Sequence, residues 1–74
     1  MTDLAGFSGK DVVKRLELIG YRVVRQRGSH VRLKHRDSSA HKPITVPMHK
    51  EIKIGLLSQI LKDAGVEITD FVSH

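Results

Sequence analysis

The chain has 74 residues and no cysteine, which excludes a disulfide framework and a cysteine–zinc site. This length predicts one domain, residues 1–74, that buries a limited fraction of its surface and gains stability from a partner or from self-association. No run of roughly 18 apolar residues is present to span a membrane, and the N-terminus has no signal-peptide pattern. We therefore expect a cytoplasmic protein with no membrane association.

The positive charge is concentrated in one part of the chain. The formal net charge is +5, and residues 10–36 hold nine Lys and Arg residues against two acidic ones, a local net charge of +7. The segments before and after each carry −1. A concentrated basic patch indicates nucleic acid as the first candidate partner, and the alternative is a basic surface without a defined site.

The first predicted element is a helix that follows a loose lead-in over residues 1–6. Ser8 fits the N-cap, and Asp11 three positions later fits a variant of the capping box. Apolar residues then recur at helical spacing, namely Val12, Val13, Leu16 and Ile19. Gly20 is typical of a C-cap and ends the helix.

A first strand is predicted over residues 21–27, and a tight hairpin follows at Arg27-Gly28, where a residue tolerant of positive φ is needed. Regular alternation places Tyr21 and Val23 on one face of this strand. The same alternation places three residues on the other face, namely Arg22, Val24 and Gln26.

The second predicted strand, residues 29–35, has the strictest alternation in the chain. Val31 and Leu33 fall on one face, which predicts a half-buried strand. The other face carries two permanent cations and one imidazole, namely Arg32, Lys34 and His30. A solvent-facing surface of this kind is suited to a polyanion.

The remaining elements are a polar loop, an edge strand and a second helix. The loop covers residues 36–42, and a short strand at residues 43–47 is predicted to lie at an edge because proline cannot donate to a ladder. The second helix has an apolar side and ends at Gly65; that side consists of Leu57, Ile60, Leu61 and Ala64. A last turn at residues 68–72 is expected to pin Phe71 to the core.

These elements predict an α+β fold with the order α-β-β-β-α. Each helix has one apolar stripe and the middle strand has one apolar face, so both helices are expected to pack on the same face of a three-stranded antiparallel sheet. The opposite face stays in water. This element order is also that of double-stranded-RNA-binding domains, which by itself is an analogy of fold.

His30 is the main catalytic candidate. An unperturbed imidazole titrates near pH ~6.5 and can accept or deliver a proton, while RNA supplies its own nucleophile, the 2′-hydroxyl. The alternative is an ordinary residue on the strand surface. His49 is a second candidate, as a proton partner, a phosphate contact or a plain loop residue. Ser29 lacks an evident acidic orienting residue, so it is expected to bond the hairpin or a phosphate instead.

The other histidines give a weak metal signal. His35 lies an odd number of positions from His30, so the two are expected on opposite sides of the strand. His41 lies in the loop and His74 ends the chain. Without cysteines or a fixed ligand spacing, these residues predict no metal site, and no other cofactor is expected.

Several motifs together resemble the HicA family, also called YcfA-like, of bacterial and archaeal toxin–antitoxin systems. They are Ser-Gly-Lys at residues 8–10, Gly-Tyr at 20–21, Arg-Gln-Arg-Gly-Ser-His at 25–30, Thr-Val-Pro at 45–47 with His49, and a segment from Gly55 to Gly65. The pairing of the Gly-Ser-His element with the Val-Pro-x-His element is the more specific part of the resemblance.

The resemblance implies a double-stranded-RNA-binding-domain-like fold and a toxin that cleaves mRNA. Activity in this family depends on the histidine of the Gly-Ser-His element, here His30, and from the residues themselves we expect cleavage without a metal. The implied partners are mRNA and a HicB-like antitoxin, with a homodimer or a larger toxin–antitoxin complex as a further possibility. The predicted RNA-binding residues are Gly28, Ser29, Arg32, Lys34 and Lys10.

Two other hypotheses remain beside the ribonuclease. The first is a non-catalytic RNA-binding module of the same fold, for which His30 is dispensable and binding through Arg32 and Lys34 is sensitive to salt. The second is an interaction protein whose basic face docks only an acidic partner and has no affinity for RNA.

Overall fold

The computed structural model describes residues 4–73. The elements are α1 (Gly9–Ile19), β1 (Tyr21–Arg27), β2 (His30–His35), β3 (Ile44–Pro47), α2 (Ile54–Ala64) and α3 (Ile68–Val72). The predicted order α-β-β-β-α is confirmed, and the predicted last turn is the short helix α3. The expected loose lead-in is wrong at Leu4, which is buried in the core. Residues 1–3 and His74 lie outside the described residues.

The ends of α1 form as their sequence predicts. The Ser8 hydroxyl accepts a hydrogen bond from the Asp11 N–H at 3.0 Å, and the Asp11 carboxylate accepts one from the Ser8 N–H at 3.2 Å. The bond from the Ser8 backbone is the main cause that holds the pKa of Asp11 below its usual value. Gly20 ends the helix with φ 118°, in the left-handed region that favours glycine.

Both C-terminal helices contribute to one hydrophobic core. The apolar side predicted for α2 is buried as a whole, and Phe71 of α3 is fully buried. Arg15 of α1 holds α3 in place, because its guanidinium donates to the carbonyl oxygens of Phe71 and Val72 at 3.0 and 2.8 Å. The same group lies 5.0 Å from the centre of the Phe7 ring. The Arg15 guanidinium therefore stabilises the packing of α1 against α3 and does not belong to the open surface of the sheet.

The sheet is antiparallel with strand order β1-β2-β3, so β2 is central. Val31 and Leu33 of β2 and Val46 of β3 are buried in the same core as the apolar sides of α1 and α2. The predicted arrangement of both helices on one face of the sheet is confirmed. The opposite face of the sheet, the open face, carries no helix among the described elements.

A two-residue turn, Gly28-Ser29, joins β1 to β2. Gly28 has φ 57°, which a tight hairpin of this kind requires, and Arg27 pairs directly with His30. The second strand thus begins at His30, one residue later than predicted. The Met48 N–H donates to the Ser29 carbonyl at 2.6 Å, so the chain leaving β3 holds this turn.

A β-bulge in β1 changes which residues face the open side. Val23 pairs with Leu33 and Arg25 pairs with Arg32, which leaves Val24 as the extra residue. An extra residue reverses the alternation beyond it. The prediction that Gln26 lies on the same face as Arg22 is therefore wrong, because Gln26 pairs with the core-facing Val31.

The loop that follows β2 is anchored at the end of the sheet far from the hairpin turn. The rings of His35 and His41 stack with 3.9 Å between centres, and the Tyr21 ring meets His35 edge-on at 4.9 Å. His41 Nδ1 donates to the Ala64 carbonyl at 2.6 Å, and the Tyr21 hydroxyl also reaches that oxygen at 3.3 Å. We call these three rings the closed corner.

Candidate functional site

His30 is the first residue of the central strand, and its side chain is exposed. Its neighbours across the sheet are Arg27 on β1 and Pro47 on β3. The preceding turn is braced by a bond from the Gln26 side-chain amide to the Gly28 carbonyl at 3.1 Å. A braced turn and two strand partners therefore fix the backbone from which the His30 side chain projects.

A cleft of about 260 Å³ lies beside the His30 side chain on the open face. We call it the His30 cleft, and its lining consists of Arg25, Arg27, His30, Arg32 and Thr45. Three of these five residues are arginines and none is acidic. Anions are attracted to a recess lined by charge of one sign, since its low-dielectric walls focus the field.

Arg32 is the most constrained cation of this cleft. It is half-buried in the central strand, and its Nη1 donates to the Thr45 hydroxyl of β3 at 3.0 Å. A guanidinium presents five donors in a planar fork, so one bond to Thr45 leaves several for an anion. Thr45 thus orients the cation without neutralising it.

The bulge at Val24 brings two of the three arginines to His30. With regular alternation Arg25 and Arg27 would face the helices, but beyond the bulge they pair with Arg32 and His30 on the open face. Sequence reasoning missed both residues, and it also missed Thr45. The available signal was the adjacent pair Val23-Val24, which interrupts the alternation of the first strand.

Cations oppose cations at two positions across the first two strands. On the open face Arg22 pairs with Lys34 and Arg25 pairs with Arg32, while Arg27 lies opposite the imidazole of His30. Like charges directly opposite each other destabilise a sheet. An arrangement that costs stability in the free protein is typical of a functional surface, and a bound polyanion would relieve it.

A second cleft of about 360 Å³ adjoins the first along the open face. We call it the bulge cleft, and it is lined by Val24, Arg25, Arg32 and Lys34. It shares Arg25 and Arg32 with the His30 cleft. Of the predicted cations, Arg32 therefore lines the cleft of His30 directly, and Lys34 lines the adjoining cleft.

The remaining predicted site residues lie outside both clefts. Gly28 and Ser29 form the turn beside His30, as described above. Lys10 is exposed in the first turn of α1, next to Gly9, where an added Cβ would overlap the Pro47 carbonyl oxygen. His49 is exposed, and its carbonyl accepts a bond from the Gly9 N–H at 2.9 Å. Lys10 and His49 therefore lie near the same end of the sheet as His30 without lining its cleft.

His35 and His41 belong to the closed corner, at the other end of β2. As predicted, His35 faces the side opposite to His30, since it pairs with the buried Tyr21. Its Nδ1 accepts from the Asp37 N–H at 2.9 Å and its Nε2 lies 3.1 Å from the Ile19 carbonyl, a pattern that fits the neutral ring with its proton on Nε2. Within residues 4–73, no group of three or more His, Asp or Glu side chains is arranged to hold a metal ion.

The fold and the site define a small α+β protein with a histidine in a cationic cleft on the open face of its sheet. A family model described as the HicA toxin of bacterial toxin–antitoxin systems matches residues 9–66, which include every residue of both clefts. The chain belongs to the HicA toxin family, and the resemblance seen in its motifs is confirmed. A comparison with curated proteins finds no significant match. No helix within residues 4–73 is long and apolar enough to cross a bilayer.

Proposed function

We propose that this toxin is an endoribonuclease that cleaves mRNA and that His30 is its catalytic residue. The observation that carries the proposal is the His30 cleft, in which an exposed imidazole is surrounded by three arginines and no acidic residue. Imidazole is the side chain best suited to proton transfer near neutral pH. Arginine is suited to hold phosphate through paired hydrogen bonds.

In the proposed reaction the nucleophile comes from the RNA. His30 accepts the proton of a 2′-hydroxyl while that oxygen attacks the adjacent phosphorus. The bond from phosphorus to the 5′-oxygen breaks, which leaves a 2′,3′-cyclic phosphate on one fragment and a 5′-hydroxyl on the other. The leaving oxygen takes its proton from solvent, which reaches the open cleft. Each bond change is balanced without a metal or another cofactor.

The arginines supply the electrostatic part of the proposed catalysis. The attacked phosphate gains negative charge in the transition state, and fixed donors aimed at that charge lower the barrier. Arg32 is the best placed of them, because its bond to Thr45 holds the guanidinium in the cleft before RNA arrives. Arg25 and Arg27 lie on the neighbouring strand and approach the phosphate from the other side.

The proposed partners follow from the same surface. An mRNA substrate places the protein in the cytoplasm, and the family implies a HicB-like antitoxin. We infer that the antitoxin inhibits by covering the His30 cleft with acidic side chains. These side chains would pair with the arginines of the cleft and would also occupy the place where the RNA phosphate binds. A non-catalytic RNA-binding module would use the same cations, and the experiment below separates that alternative.

The test is cleavage of a long single-stranded RNA by purified protein in EDTA, with His30→Ala and His49→Ala assayed in parallel. We expect wild-type cleavage without added metal and a loss of about 100-fold or more in His30→Ala, the scale of general acid–base catalysis. The His49→Ala variant removes an exposed histidine outside the cleft and is expected to retain cleavage. Circular dichroism and RNA binding should be unchanged in both variants.

Three results would overturn parts of the proposal. RNA binding without cleavage by the wild type would favour the binding module. Equal cleavage by wild type and His30→Ala would assign the activity to another residue or to a contaminant. Loss of cleavage in both variants, with RNA binding retained, would make His49 a second proton-transfer residue and would refute proton delivery from solvent.

A further inference from the structure

The His30 cleft and the bulge cleft lie side by side along β1 and β2, and we call the two together the trough. The cross-strand pair Arg25 and Arg32 lines both clefts and stands at their boundary. His30 lies near one end and Lys34 near the other. Four residues of extended strand separate these two positions, about 13 Å at roughly 3.3 Å per residue. A single nucleotide whose phosphate lies at His30 leaves the Lys34 end of this trough uncovered.

The bulge cleft differs chemically from the His30 cleft. Val24 lines it and is 43% exposed, so an apolar surface lies in water among Arg25, Arg32 and Lys34. Because Val24 is the extra residue of the bulge, it has no cross-strand partner of its own. Single-strand-binding grooves combine charge for the backbone with aromatic side chains on which bases stack. Here the aliphatic Val24 offers van der Waals contact to a sugar or base, and the cations beside it are complementary to the flanking phosphates.

We propose that the bulge cleft is a second nucleotide subsite, which holds the RNA nucleotide adjoining the two whose linking phosphate reacts at His30. Lys34 binds its phosphate, Val24 contacts its sugar or base, and Arg25 and Arg32 lie between the two subsites. The RNA strand therefore runs along β2 over the open face. The bulge thus has two roles, because it turns Arg25 and Arg27 toward His30 and it supplies Val24 to the neighbouring subsite.

The inference rests on the proposed ribonuclease function and makes a separate claim about substrate length. Contacts remote from the reacting phosphate act on binding when they are equally strong in the ground state and the transition state. Loss of Lys34 should therefore raise KM for a long RNA and leave kcat nearly unchanged. It should have little effect on a dinucleotide, which does not reach Lys34.

Binding is tested by fluorescence anisotropy with the His30→Ala protein, which leaves the RNA uncut. Labelled di-, tetra- and hexanucleotides are titrated against this protein and against the same protein with Lys34→Gln, Val24→Asp or Lys62→Gln added. Lys62 is an exposed lysine of α2 outside both clefts, so Lys62→Gln matches the charge change of Lys34→Gln. Thermal melts check that each variant is folded.

We expect the tetranucleotide to bind about tenfold or more tightly than the dinucleotide, and Lys34→Gln and Val24→Asp to remove most of this gain. Lys62→Gln should keep it. Loss of one phosphate contact should also reduce the salt dependence, with the slope of log K against log salt smaller by about 0.7 for a single strand. Equal binding of all lengths, or equal effects of Lys34→Gln and Lys62→Gln, would overturn the second subsite.

Cleavage by the protein with His30 intact separates the two proposals. If RNA is cut with a KM that does not depend on substrate length, the ribonuclease stands and the second subsite is wrong. If no RNA is cut and the length-dependent gain in binding persists, a binding site over the same two clefts stands and the catalytic proposal is wrong.

Discussion

Neutralising Arg25 is expected to stabilise the free protein and weaken its binding to RNA. Arg25 lies directly opposite Arg32 in the β1–β2 ladder, and both line the two clefts. Three replacements of similar length form a series at this position, namely Arg25→Lys, Arg25→Gln and Arg25→Glu. They keep, remove and reverse the charge on a strand site with a long, exposed side chain.

The expected size follows from cross-strand energetics. Favourable cross-strand pairs contribute about 0.2–1 kcal/mol, and we take the cost of a like-charge pair directly opposite to be of the same size. Arg32 is partly drawn toward β3 by its bond to Thr45, so we place the gain from Arg25→Gln near the middle of that range, about 0.5 kcal/mol. At about 4–8 °C per kcal/mol for a domain of this size, Tm should rise by about 2–4 °C. Arg25→Glu replaces the repulsion with an attraction to Arg32, so the Tm of this variant should rise further.

Thermal melts at low and high salt measure this effect. The gain should be clear near 10 mM salt and small at 1 M, where the screening length falls from about 30 Å to about 3 Å. Over the same series, affinity for a labelled RNA should fall in the order Lys, Gln, Glu. A lower Tm for Arg25→Gln at low salt, or a gain that persists at 1 M, would refute the proposed repulsion.

Three further predictions concern the parts of the fold that hold the site. Arg15→Met should lower the free energy of unfolding by about 1–3 kcal/mol, because the guanidinium no longer bonds the last carbonyls of α3. Gly20→Ala should destabilise by at least about 1 kcal/mol, since φ is 118° and the new Cβ would lie 2.5 Å from His35 Nε2. Asp11 has a lowered pKa in the folded state, so its stabilising effect is complete above its unfolded value near 3.8 and is lost as pH falls through the lower folded value.

Urea denaturation tests the first two variants, with Lys14→Met and Gly55→Ala as controls. Lys14 is an exposed α1 residue, and an added Cβ at Gly55 meets nothing within 4 Å. Controls that lose as much stability as the test variants would contradict the stated contacts. For Asp11, melts of wild type and Asp11→Asn from pH 6 to pH 3 should converge at the acid end. A constant difference in Tm across that range would contradict the cap explanation.

The helices and the central strand could be predicted because their signals are local. The capping box at Ser8 and the glycines that end α1 and α2 determine local backbone geometry. Strict alternation in β2 identified the face that carries His30. Tertiary contact was not needed to locate any of these features, and the family motifs cover the same segments.

Alternation could not predict that Arg25 and Arg27 lie on the open face. The extra residue Val24 moves every later side chain of β1 to the opposite face of the sheet. A bulge is decided by the pairing of two strands, and the adjacent pair Val23-Val24 within β1 signals an irregularity without specifying which residue is the extra one. The role of Arg15 was also missed, since its partners in α3 are 56 and 57 residues away in sequence. Counting it with the surface cations overestimated the charge available to a ligand.

The closed corner separates the loop after β2 from the hairpin turn and from His30. It lies about 17 Å along β2 from His30, at roughly 3.3 Å per residue over five residues. His41 is fixed by its stack on His35 and its bond to α2, while Ser38 and Ser39 before it are exposed at the loop tip. We therefore expect a fluorophore or an epitope placed between these two serines to cost the bond from the Ser39 hydroxyl to the Asp37 carboxylate and to leave the hairpin turn undisturbed.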